Sequence, residues 1–127
     1  MWNLVKRMEY MIEERLYLLA LFDFYGSLLT EKQQECLRMY LAEDFSLAEI
    51  GESIGISRQA VYDNIHRSEK AMEEYESKLG FVKRYRQERQ ILGEIEELIR
   101  RLRTADTRRK EEILERLLSL KDREREV

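Results

Sequence analysis

Apolar residues recur at spacings of three and four along most of this chain, the period of an α-helix with one buried face. The pattern predicts a first helix over 8–25, carrying Met11, Ile12, Leu16, Leu18, Leu19, Leu21, Phe22 and Tyr25. More than one side of that helix is apolar, which places it at the centre of the fold or across a subunit interface. Residues 1–7 read as a loose end from which Trp2 and Leu4 could dock on a neighbour. Gly26 and Ser27 break the helix. Thr30 caps the next one, with Gln33 in the capping-box position and Leu37, Tyr40 and Leu41 facing inward.

The stretch from Ser46 to Ile65 organises the rest. Ser46 and Glu49 form a second capping box, and Leu47, Ile50, Gly51 and Ile54 give a short helix one close-packing face. Gly55 stops that helix, because glycine takes the left-handed conformation at little steric cost. Ile56 plugs the turn, and Ser57 caps a helix that starts at Arg58 and points Ala60, Val61 and Ile65 back at its predecessor. Small residues at 51 and 60 permit a close crossing, as a helix-turn-helix requires. The second helix runs on through Ser68, Met72, Tyr75 and Leu79, a short heptad seam suited to another long helix, and Gly80 ends it.

With Val61 and Ile65 inward, Gln59, Asp63, His66 and Lys70 lie near the opposite meridian, with Arg58 and Tyr62 on one flank and Arg67 on the other. Such a face can read nucleic acid: Gln59 matches adenine, and Arg58, Arg67 and Lys70 match phosphates. Together with the capping Ser57 these eight residues are the candidate nucleic-acid-binding set. The plainer reading is a solvated helix face. Between Glu43 and Arg67 two basic residues stand against five acidic ones, which weakens phosphate binding and keeps a protein-contact role open.

Beyond Gly80 the pattern predicts a helix over 81–102 using Tyr85, Leu92, Ile95, Ile99 and Leu102. A cap follows within 104–107, and a last helix carries Ile113, Leu114, Leu117 and Leu118, with 121–127 frayed. Each of these two helices has too narrow an apolar stripe to stand alone. They either fold back as a hairpin or pair with a second chain, and homodimerisation is the expectation. The architecture is therefore all-α: a helix-turn-helix domain over 1–80 with a long recognition helix, and a C-terminal helical extension over 81–127 that packs or dimerises.

Composition sharpens this picture. The chain has 127 residues, 39% of them charged, no proline and a net charge of −3. Residues 1–80 hold nine Lys/Arg against fifteen Asp/Glu, a net of −6, whereas residues 81–127 have a net of +3. An anion is better hosted by the second half. No signal-like or membrane-spanning run is present, so a cytoplasmic protein without membrane insertion is expected. Cys36, alone and set among Leu37, Tyr40 and Leu41, reads as a small core residue.

Chemistry for catalysis is missing. There is no Gly-rich phosphate loop and no Cys/His cluster for a metal, so neither cofactor nor metal is expected. His66 is the sole histidine, and paired glutamates such as Glu73-Glu74 read as surface residues on charged helices. Asp23, inside an apolar run, reads as a cap or as the partner of Arg58 or Lys32. The basic clusters Arg100-Arg101-Arg103 and Arg108-Arg109-Lys110 suit RNA phosphates, but Glu96, Glu97, Glu111 and Glu112 beside them favour a wet helix face. An enzyme is not expected.

The runs Leu21 to Gln33, Asp44 to Ile50 and Ser57 to Ile65 resemble the YlxM family of small bacterial helix-turn-helix proteins. They are also similar to the C-terminal DNA-binding region of bacterial sigma factors. The resemblance covers about residues 15–85. It implies a regulatory or accessory role in the signal recognition particle pathway, with the particle's protein or RNA as partner. Its sigma-like side implies DNA contact through Arg58, Gln59, Tyr62, Asp63 and His66. The alternative is a transcription regulator that binds duplex DNA as a dimer.

Overall fold

A computed structural model describes residues 2–125, with side chains described from 3 to 123. Six α-helices and no strands occur among them: α1 (Trp2–Tyr25), α2 (Glu31–Leu41), α3 (Leu47–Ile54), α4 (Arg58–Leu79), α5 (Phe81–Leu102) and α6 (Thr107–Arg125), with a short 3-10 turn at Gly26–Leu28. The chain divides into two compact units, Met1–Gly80 and Phe81–Val127.

Local chemistry sets the boundaries in the first unit. The amide of Gln33 donates to Thr30 Oγ1 at 3.2 Å, and the amide of Thr30 donates to Gln33 Oε1 at 3.0 Å. Ser46 and Glu49 make the same reciprocal pair at 3.1 and 3.2 Å. Gly55 adopts φ 76°, and the amides of Gly55 and Ile56 both donate to the Gly51 carbonyl, which closes α3. Ser57 Oγ then accepts from the Ala60 amide at 3.0 Å and starts α4.

Leu21, Cys36, Leu37, Ile50, Val61 and Met72 are fully buried and draw on all four helices. Each large aliphatic among them contributes about 1.5–3 kcal/mol. Cys36 is thus the core residue the sequence suggested, and burial raises its thiol pKa. The α4 seam of Val61, Ile65, Ser68 and Met72 packs within the chain, because α4 lies against α1 and α2. Buried Ser68 donates to the Asn64 carbonyl at 2.9 Å. Farther along, Tyr25 Oη donates to Glu76 at 2.6 Å and its ring lies 6.0 Å from that of Tyr75.

Several expectations need correction. Residues 3–7 are helical, since α1 already begins at Trp2, and Leu4 is exposed; the Trp2 side chain lies outside the described residues. Among the described side chains of α1 only Leu18, Leu21 and Tyr25 are buried, so one of its apolar sides stays open. Leu79 at the end of the seam is exposed, being one turn past the contact with Tyr25. Asp23 is exposed and has no buried partner. The close approach expected at Gly51 is present: an added Cβ would come 2.6 Å from the Ile56 carbonyl oxygen and 3.5 Å from the Arg58 amide nitrogen.

The second unit is an α5–α6 hairpin. Asp106 caps α6, its Oδ1 accepting from the Arg109 amide at 2.9 Å. Ile91, Leu98, Ile113 and Leu120 form the buried cluster, flanked by Ile95, Leu102, Ala105 and Leu117. Tyr85, Leu92, Ile99, Leu114 and Leu118 are exposed, contrary to expectation. The reason is periodicity: 91-95-98-102 and 92-95-99-102 share two members, and only the partner helix selects between them. Helix α6 also continues to Arg125 where fraying was expected; residues 126 and 127 lie outside the described part.

Candidate nucleic-acid interface

The turn at Gly55 directs the N-terminal half of α4 outward, and all eight candidate residues are exposed. Gln59, Asp63, His66 and Lys70 fall within an arc of about 60° along roughly 16 Å of helix. The face is ordered by its own contacts. Gln59 Nε2 donates to Asp63 Oδ1 at 3.1 Å, one turn on, and so holds the glutamine amide along the helix. The Tyr62 ring meets His66 edge-on with centroids 4.2 Å apart. His66 Nδ1 lies 3.8 Å from Glu69, an ion pair when the imidazole is protonated.

Electrostatically the face is mixed. Arg58, Arg67 and Lys70 hold no ion pair among the described residues and point their charge into solvent. Asp63 sits between them as a fixed anion. In a major groove it would accept from cytosine N4 as Gln59 would match adenine. Glu69 has a pKa raised first by burial, then by Glu73, with His66 lowering it and Glu14 raising it slightly.

Sequence reasoning missed the ground behind this face. A cleft of about 280 Å³ is lined by Met11, Glu14, Leu18, Tyr62, Ile65, His66 and Glu69. Arg15 borders it, donating to the Tyr40 carbonyl and to Asp44 Oδ1 at 2.9 Å while stacking over the Tyr40 ring. That clamp holds the α2–α3 connection, where Asp44 takes φ 57°. Glu69 could have been found, because it lies one helical turn from His66. Arg15 could not, since its partners are 25 and 29 residues away.

In the second unit three of the six basic-cluster residues lie near carboxylates at helical spacing. Arg100 lies near Glu96 and Glu97, Arg101 near Glu97, and Arg108 near Glu112. Across the hairpin, Glu94 accepts from Arg116 Nε at 2.8 Å and lies 3.6 Å from Arg123. Among the described residues no group of three or more His, Cys, Asp and Glu could hold a metal ion, and no helix is long and apolar enough to cross a membrane.

A capped short helix, a glycine turn and an outward-facing second helix define a helix-turn-helix protein, a class that is not enzymatic. Residues 12–117 match the family described as "Putative helix-turn-helix protein, YlxM / p13 like", and the chain belongs to that family. The match runs through α5 and well into α6. A UPF0122 protein of Symbiobacterium thermophilum is 52% identical over 89 residues, covering 70% of this chain and 83% of that one. One from Halalkalibacterium halodurans is 45% identical over 96 residues, covering 76% and 88%. One from Streptococcus gordonii is 56% identical over 78 residues, covering 61% and 71%.

Proposed function

We propose that this protein is a non-enzymatic regulator that contacts duplex DNA through the outer face of α4. One observation carries the reading: Gln59 and Lys70 share the exposed outer face of α4, flanked by Arg58 on one side and Arg67 on the other, and none of these three cations holds an ion pair among the described residues. Helix-turn-helix proteins place the N-terminal residues of this helix against base edges. Met1–Gly80 is then the DNA-contacting domain, and Phe81–Val127 a helical extension for packing or dimerisation. The protein works in the cytoplasm as a homodimer. Titrating the full chain against a pool of genomic duplexes at low salt tests the reading. Arg58→Ala and Gln59→Ala should lose binding while keeping the helical circular dichroism of the parent. Equal, undetectable binding by all three proteins would refute it.

A second reading is favoured by the net charge of −6 on residues 1–80, which opposes phosphate binding. In it the protein is an accessory factor of the signal recognition particle pathway, as its likeness to the YlxM family implies, and α4 meets a protein or RNA of the particle. Retention of particle protein or RNA by the immobilised chain at low salt supports this reading; a clean wash-through counts against it.

A further inference from the structure

One side of α1 is apolar and open. Val5, Met8, Ile12, Leu16 and Leu19 follow one another at spacings of three and four, and the first four are 56–57% exposed. They run about 21 Å along the helix within an arc of roughly 80°. This stripe is separate from Leu18, Leu21 and Tyr25, which face the core. No charged residue interrupts it between positions 5 and 19 on that arc. Leu4 and Met11 are exposed beside it.

We propose that this stripe is a self-association surface, on which the α1 helices of two copies of the chain pack antiparallel about a two-fold axis at Ile12. Two observations select a second copy as the occupant. The stripe is its own complement: around Ile12, Val5 faces Leu19 of the second copy and Met8 faces Leu16, so each apolar side chain meets another. Secondly, Asp23 ends the stripe on the same arc, opposite the start of the other α1. That start has no acidic residue in its own first turn. A carboxylate beside it is favourable, because unsatisfied amides leave partial positive charge at a helix N-terminus. The exposure of Asp23 within an apolar run then has a reason.

The inference uses none of the α4 residues, so its failure would remove the homodimer from the proposed function and leave the DNA contact of α4 untouched. Its test is sedimentation equilibrium of the full chain at tens of micromolar. The expected mass is twice the 15.5 kDa of one chain. Ile12→Glu should return it to the single-chain mass, and Leu114→Glu, on the exposed face of α6, should leave the dimer intact. Oxidation of Ile12→Cys should give a covalent dimer on a denaturing gel, whereas Val5→Cys should not; Cys36 is fully buried and stays silent. The Ile12→Cys result stands even where Ile12→Glu unravels the start of α1. A single-chain mass for the parent overturns the proposal. So does a dimer that survives Ile12→Glu but falls apart with Leu114→Glu, or a dimer in which only Val5→Cys cross-links.

Discussion

An added Cβ at Gly51 would sit 2.6 Å from the Ile56 carbonyl oxygen, a backbone atom fixed by the α3–α4 turn. Gly51→Ala is therefore expected to lose about 1–3 kcal/mol through overpacking, read as a lower midpoint in urea with an unchanged slope. Gly55, by contrast, has open space around it, and its φ of 76° is what demands glycine. Glu69 supplies a pH signature. Burial, then Glu73, raise its pKa, and the opposing influence of His66 is smaller. The folded state thus binds this proton more tightly than the unfolded chain. Its contribution to stability is present below the ordinary carboxylate pKa and is lost as pH rises from there through the raised value. Glu69→Gln should melt higher than the parent at pH 7, and the difference should vanish near pH 4. A constant difference across that range would refute the assignment.

At the scale of elements, caps and stops are legible in residue order. Thr30-Gln33, Ser46-Glu49, Ser57, Gly55 and Gly80 stand where the chain needs hydrogen-bond partners or left-handed backbone, and these demands are local. The buried face of the hairpin was not legible, because two overlapping series satisfy the same helical period on α5. Leu120 borders a charged tail whose sequence reads as frayed, yet it is fully buried. Leu120→Ala is expected to cost 2–5 kcal/mol in the melting of the second unit. Leu118→Ala, on the exposed side, should stay within about 0.5 kcal/mol. Reversal of that order in calorimetry would mean that the hairpin packs on its other face.

Over the whole molecule, charge decides how DNA contact would behave. The three α4 cations that hold no ion pair among the described residues neutralise few phosphates, so log K against log salt should fall with a slope of about −3 for each chain bound. A slope several units steeper would show that cations of the second unit take part. A flat line would remove phosphate contact altogether. The distribution of charge, the helical class and the helix-turn-helix could be read from residue order alone, because they rest on neighbours within a turn or two. The seven candidate residues of α4 are likewise placed by spacing, on its outer meridian or its flanks, and all are exposed. Tertiary structure decided what depends on distant partners: Arg15 clamping Tyr40 and Asp44, the choice of Ile91 and Leu98 over Leu92 and Ile99, and the open second side of α1. A period of 3.6 says that a face exists, but only the surface packed against it determines which face is buried.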